Sequence, residues 1–315
     1  MVWHVIGTFL AASAGTLALG MASSWVDRKV TARVQWRVGP PMLQPIYDIL
    51  KLMGKETLVP ARAVGSGFLL APVVGLAAAA VAATILWVAN LWPHEAFIGD
   101  LVVVIYLLTI PAVATIYGAS ASGSPHAAVG ASREMKLLLS YELPLILSAL
   151  VPVLQVARSP DFGATFSVGA LVAYQHAAGW TLWSASGALG LVAAILAMQA
   201  KLTLVPFDQP EAETELMGGV YIEYSGPPLA VIKLSRMFML AVAPVYVATL
   251  FLGGLGSATW QGWLALAGKV VALLVVVVLI RNTNPRVRID QAVRFFWFGV
   301  APVAIAAVVL AAMGY

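Results

Sequence analysis

Five of the fourteen acidic residues, Asp208, Glu211, Glu213, Glu215 and Glu223, fall within sixteen positions of a chain that is only 10% charged. Glu211 and Glu215 are four apart, which on a helix puts them on one face, where like charges repel unless protons stay bound. Carboxylates kept beside a bilayer at such cost commonly serve transport. A solvated acidic loop explains the same cluster, and the segment alone leaves both readings open. Glu142 sits in apolar sequence two residues before Pro144. Glu134 lies about two turns earlier on nearly the same face. A carboxyl group buried there would hold or release a proton near neutral pH. A neutral hydrogen bond to Tyr141 or to a neighbouring helix is the plainer alternative. Lys233 and Arg236, three apart, either pair with these acids or extend their charges to the membrane surface, as is also expected of Lys269.

Other chemistries lack their residues. There is no cysteine, hence no disulfide and no thiolate for zinc or an iron–sulfur cluster. His4, His94, His126 and His176 stand singly, and none is assigned a metal. No nucleophile elbow, paired histidine–carboxylate spacing or glycine-rich phosphate loop occurs, so no cofactor is expected in this chain.

A second polar stretch is basic. Arg28, Lys29, Arg33 and Arg37 precede Gly39, Pro40 and Pro41, which break any helix. Beyond them Leu43, Ile46, Ile49, Leu50 and Met53 recur at helical spacing, with Asp48, Lys51 and Lys55 interspersed. That pattern predicts an amphipathic helix lying on the membrane face. It serves either as a lipid anchor or as a docking platform.

The elements that position these residues must be transmembrane helices. The chain has 315 residues, 61% hydrophobic, with a mean hydropathy of +0.91, whereas soluble domains are about a quarter charged. No globular core could hide so much apolar surface. Eight apolar stretches approach the roughly 20 residues that cross a bilayer: 2–25, 67–92, 101–119, 135–156, 185–200, 229–252, 263–280 and 293–313. The first is too long for a cleaved signal peptide and lacks a basic start. The apolar flank at 162–183 reads as a re-entrant or interfacial piece. Trp92, Trp180, Trp183, Trp260 and Trp263 fall near span ends, where aromatic belts belong.

The net charge of +4 is unevenly spread. Arg28 to Arg62, Arg133 with Lys136, Lys201, and Arg281 to Arg294 follow the odd-numbered spans or border them, while 93–100 and 253–262 carry no lysine or arginine. The positive-inside rule therefore predicts cytoplasmic loops at 26–66, 120–134, 201–228 and 281–292, with both termini outside. The expectation is an all-α integral membrane protein of eight transmembrane helices, a single membrane domain over 1–315 in the cell membrane. No internal repeat of the kind common in transporters is visible.

Two segments together resemble one family. FDQPEAETELMGG at 207–219 with EYSG at 223–226, and RVGPPMLQPIYDILK at 37–51, are similar to the signatures of the membrane subunit that joins the two arms of respiratory complex I. The eight-span plan with an outside N-terminus is also the family's, so the resemblance covers the whole chain. Quinone-reducing members usually carry a longer first motif, with an Asn-Arg-Val-Gly-Pro insertion. Here Gly39, Pro40 and Pro41 run directly into Met42 and Leu43. The short form is similar to the corresponding subunit of group 4 energy-converting membrane-bound nickel–iron hydrogenases. Relatives often place a glutamate early in the sixth span, where this chain has Lys233 and Arg236.

The resemblance implies a membrane-anchoring and coupling subunit of an oxidoreductase complex, with no redox centre of its own. It links electron transfer in a peripheral module to proton or sodium translocation. Implied partners are hydrogenase-like large and small subunits, an iron–sulfur subunit and antiporter-like membrane subunits, with iron–sulfur clusters and nickel–iron held by those partners; no nucleic acid is involved. Glu142, Glu134, Asp208, Glu211, Glu213, Glu215, Glu223, Lys233 and Arg236 would form the proton relay. Arg33, Arg37, Gln44, Asp48, Lys51, Arg286 and Arg288 would dock the partners. A linker subunit of a quinone-reducing NADH dehydrogenase-like complex is the alternative. It requires a lipid-accessible cavity between the first loop and the first, sixth and seventh spans. A stand-alone secondary transporter is the second alternative.

Overall fold

The computed structural model describes residues 2–97, 99–160 and 162–315; the side chains of Val2, Glu213 and Thr214 lie outside the description. Among the described residues twelve α-helices follow one another: α1 Val2–Val34, α2 Gln44–Met53, α3 Gly65–Leu91, α4 Asp100–Ala121, α5 Pro125–Ala157, α6 Val168–Ala178, α7 Ala185–Lys201, α8 Glu213–Leu216, α9 Gly226–Phe251, α10 Trp260–Thr283, α11 Ile289–Arg294 and α12 Ala301–Met313. Among the described residues there is no strand. In hydrocarbon only a helix satisfies its own backbone groups, so the apolar stretches have no other choice.

Among the described residues seven helices are long and apolar enough to span, the last being the continuous Ile289–Met313 formed by α11, a π-helical segment Phe295–Val300 and α12. The eighth, α7, has 17 residues, about 26 Å of rise, at the short end of what crosses a bilayer. α9 is the axis of the bundle: 83% of its most apolar window is buried, against α1, α3, α7 and α10. The outer helices turn apolar side chains outward, including Leu10, Leu70, Tyr106, Leu139 and Phe298. A continuous apolar exterior of this kind is a lipid-facing one.

The boundaries depart from expectation in ways that matter for the site. α1 continues to Val34, lifting Asp27 and Arg28 onto a helix rather than a loop. The connection expected over 120–134 narrows to 122–124, because Pro125 in the first turn starts α5 early. Arg133 and Glu134 are therefore held rigidly by the same helix as Glu142. The flank at 162–183 folds back as α6 and a short turn of helix. Gln175 on α6 is buried, donating to Thr249 O (2.9 Å) and accepting from Gly253 N (2.8 Å). This closes the end of the bundle opposite the basic loops.

The predicted amphipathic helix is present as α2, a ten-residue helix burying Pro45 and Ile49 while Tyr47, Leu50 and Met53 stay exposed.

Candidate functional site

The ionisable residues gather at the end of the bundle that carries the basic loops, hereafter the basic face. They surround a cavity of about 290 Å³. Its wall is built by α1, α3, α4, α5, α9 and α10 with the segment after α7, and it carries seven charged side chains: Asp27, Arg28, Glu134, Lys201, Lys233, Arg236 and Arg281.

Glu142 is half-way along α5, one residue past the fully buried Tyr141. Its carboxylate meets the ammonium of Lys201, the last residue of α7, at 3.1 Å, with side-chain exposures of 18% and 3%. Thr109 on α4 completes a triangle, donating to Glu142 Oε1 (2.8 Å) and accepting from Lys201 Nζ (3.3 Å). Tyr141 is not the partner: its hydroxyl has none, and its ring lies 5.2 Å beneath Lys201 Nζ. Removing one member of a buried pair strands the other charge, which is the costly event. Glu134, also on α5, is 3% exposed and lines the cavity. Among the described residues no cation lies within 4 Å of it.

The acidic loop seats on α5. Gly130 leaves room for it: a Cβ there would meet Val220 N at 2.8 Å and Pro210 O at 3.0 Å. Gly218 and Gly219 turn the chain with φ of +101° and +51°, conformations glycine adopts freely. The helical face expected to join Glu211 and Glu215 does not form, because the chain passes from a three-residue helix ending at Glu211 through Ala212 into α8. Each acid faces its own cation instead. Arg236 meets Glu211 at 2.6 Å, with Thr203 Oγ1 bonded to the same carboxylate at 3.1 Å. Arg133 meets Glu215 at 2.5 Å, and Arg286 meets Asp208 at 2.9 Å. Burial raises the Asp208 carboxyl above its ordinary value, more than Arg286 and the other nearby arginines lower it. Glu223 is half-buried, Lys233 is exposed at the cavity's mouth, and the side chain of Glu213 lies outside the described residues.

Two further pairs tie the first helix to its neighbours. Asp27 accepts from Arg281 of α10 through both oxygens, at 3.0 and 2.9 Å. Arg28 reaches Asp48 of α2 at 2.7 Å, where Gln44 also donates at 3.0 Å. Burial raises the Asp48 carboxyl, but these bonds outweigh it and leave it below its ordinary value. Gln44, Asp48 and Arg286 are thus engaged within the chain, whereas Arg33, Arg37, Lys51 and Arg288 make no ion pair among the described residues. Trp36 and Val38, at 97% and 79% exposed, stand among them.

Among the described residues no group of three or more histidines and carboxylates could hold a metal. Lys201 escapes a reading of the sequence because a lysine closing an apolar helix looks like a side chain reaching for the surface. Asp27, Arg28 and Arg281 escape it because their partners are distant in the chain.

The NADH dehydrogenase family matches residues 7–312. The chain belongs to that family. It is 34% identical to a subunit of the NADH-quinone oxidoreductase of Thermomicrobium roseum, over 92% of this chain and 89% of the relative. Identity to the like-named protein of Rubrobacter xylanophilus is 35%, covering 94% and 92%. With that of Geobacillus kaustophilus it is 30%, covering 99% and 95%. Its fold matches a chain in the structure of the membrane-bound sulfane sulfur reductase, an archaeal respiratory membrane complex. That match has a TM-score of 0.86 and 27% identity, covering 98% and 99% of the two chains. The protein is accordingly a multi-pass membrane subunit of a respiratory complex.

Proposed function

We propose that the chain anchors and couples an energy-converting, hydrogenase-related complex, linking electron transfer in a peripheral iron–sulfur and nickel–iron module to proton or sodium translocation. The basic face is cytoplasmic and both termini are outside, since lysine and arginine crowd one end of the bundle. The partners are hydrogenase-like large and small subunits, an iron–sulfur subunit and antiporter-like membrane subunits. Loops 26–66 and 281–292 receive the peripheral module through Arg33, Arg37, Lys51 and Arg288.

The observation that carries this reading is the cavity. It places Glu134, Lys201 and Arg236 at the basic ends of their helices, next to the Glu142–Lys201 pair and beneath the acidic loop. Redox chemistry at a docked module would change the field on those carboxylates, and a changed field moves protons. Asp208, Glu211, Glu213, Glu215 and Glu223 supply the path from the loop to Glu134 and Glu142, with Arg236 and Lys233 tuning it. Glu142→Gln keeps size and hydrogen bonding but carries no proton. The variant is expected to assemble, as judged by native gel, and to lose most redox-driven ion translocation in vesicles. Translocation at the wild-type level would end the coupling role.

Quinone reduction is the second reading, supported by the relatives named as quinone oxidoreductase subunits and by the cavity touching α1, α9 and α10 at Ser24, Met237 and Arg281. Seven charged groups in its wall weigh against an apolar ring and tail as occupant. A purified complex that reduces a short-chain quinone at its full turnover rate would favour this reading instead.

A further inference from the structure

Lys201 holds an asymmetric position. It is bonded to Glu142, yet it lines the same cavity as Glu134, the buried acid left without an ion-pair partner among the described residues. Both glutamates are on α5, eight residues apart, about 12 Å of helix rise. The carboxylates and the four-carbon stem of the lysine close much of that span. The titratable groups around them are Tyr141 on α5 and Tyr246 on α9, with Arg236 and Glu211 beyond Glu134. Asp27 and Arg281 stand across the cavity, paired with each other. Arg236 and Arg281 are thus tied to acids of their own. Arg236 and Lys201 both act on Glu134, and Lys201 is the one whose bonded acid, Glu142, lies on the same helix as Glu134.

We propose that Lys201 is a moving counter-charge, pairing with Glu142 while that carboxylate is ionised and shifting to Glu134 when Glu142 is protonated, so that the two glutamates are ionised in turn. The proposal rests on the coupling role argued above and makes Lys201 its positioning residue. The proton count closes. A proton binds Glu142, the ammonium leaves it intact as an ammonium, and Glu134 loses its own proton to the cavity as the cation arrives. One proton has entered, one has left, and the net charge of the cluster is unchanged. Thr109, bonded to both members of the resting pair, defines the first position. The open cavity provides the space for the second.

The test compares Lys201→Met, Lys201→Arg and Glu142→Gln in the intact complex, by ion translocation per electron and by infrared difference spectra between oxidised and reduced states. In the wild type one protonated-carboxyl band should vanish as another appears, and Glu142→Gln or Glu134→Gln should each delete one of the two. Lys201→Met should abolish the exchange and lower translocation per electron by about tenfold or more. Lys201→Arg keeps the charge and the fold but grips Glu142 through a two-pronged guanidinium. It should assemble and show the same loss, so the test stands even if the methionine variant does not fold. Normal exchange and translocation in the arginine variant, or in an assembled methionine variant, would make the pair purely structural and overturn the proposal. Should Glu142→Gln block translocation while Lys201→Arg leaves it intact, the switch alone fails. Wild-type translocation in Glu142→Gln removes the coupling reading beneath it.

Discussion

A carboxylate that faces protein rather than water keeps its charge only if a cation or hydrogen bonds stand beside it. Around this cavity three acids are matched individually, Glu142 with Lys201, Glu211 with Arg236 and Asp27 with Arg281, and Glu134 has no such cation among the described residues. Asp208 shows the balance in a loop, where it can be measured. Its raised value means the folded loop holds a proton on Asp208 more tightly than the unfolded chain does. Its contribution to stability is therefore full below the ordinary carboxylate range and is lost as pH rises through the raised value. Arg286→Ala should move that loss to higher pH, and Asp208→Asn should abolish it. Amide exchange of the loop from mildly acid to neutral pH reads both, and identical profiles in wild type and Asp208→Asn would refute the assignment. The positions of these acids are visible in the sequence as charge in an apolar chain. Their pairing is not, because i,i+4 logic applies only where a helix exists, and the non-helical backbone at Ala212, with ψ of 97°, interrupts one between Glu211 and Glu215.

At the scale of elements, α2 and the loop before it separate two tasks. Arg28, Gln44 and Asp48 hold α2 to α1, while Arg33, Trp36, Arg37 and Lys51 are exposed. Exposed aromatic and arginine side chains together are the composition of a protein-binding surface. Charge reversal at Arg33 and Arg37 is expected to release the peripheral subunits, because charges desolvated at an interface are worth more than exposed ones. Native gels of the double variant settle it, and an intact, active complex would leave the segment as a lipid anchor. The amphipathic spacing of 43–53 is legible because α2 lies on a surface with one wet face. The ends of α1 and α5 are harder, since a charged helix extending past the membrane loses the apolar signal that marked its start.

At the scale of the molecule, eight crossings make the basic face one side and the α6 end the other. The absence of native cysteine makes single-cysteine labelling clean. Glu95→Cys and Thr283→Cys, both at exposed positions, should react from opposite sides, Thr283→Cys from the cytoplasm. Reaction of both from one side would break the span count. The all-helical class and most spans are legible from hydropathy alone. α7 is the weakest because its apolar run is short and its flank α6 is equally apolar, and only packing tells a crossing from a helix that turns back.

The bond between Asp27 and Arg281 joins residues 254 positions apart. At roughly 5–20 residues per second of synthesis, the acid emerges from the ribosome long before its partner exists. For that interval, on the order of ten to fifty seconds, the first helix sits in the membrane with its charge answered only by water at the rim. The bundle therefore cannot be sealed in the order it is made. Its first helix packs on α3 and α9 as they arrive, but Asp27 meets its cation only when the seventh crossing brings Arg281, so a ribosome stalled after α9 would leave that acid unanswered inside a nearly finished protein.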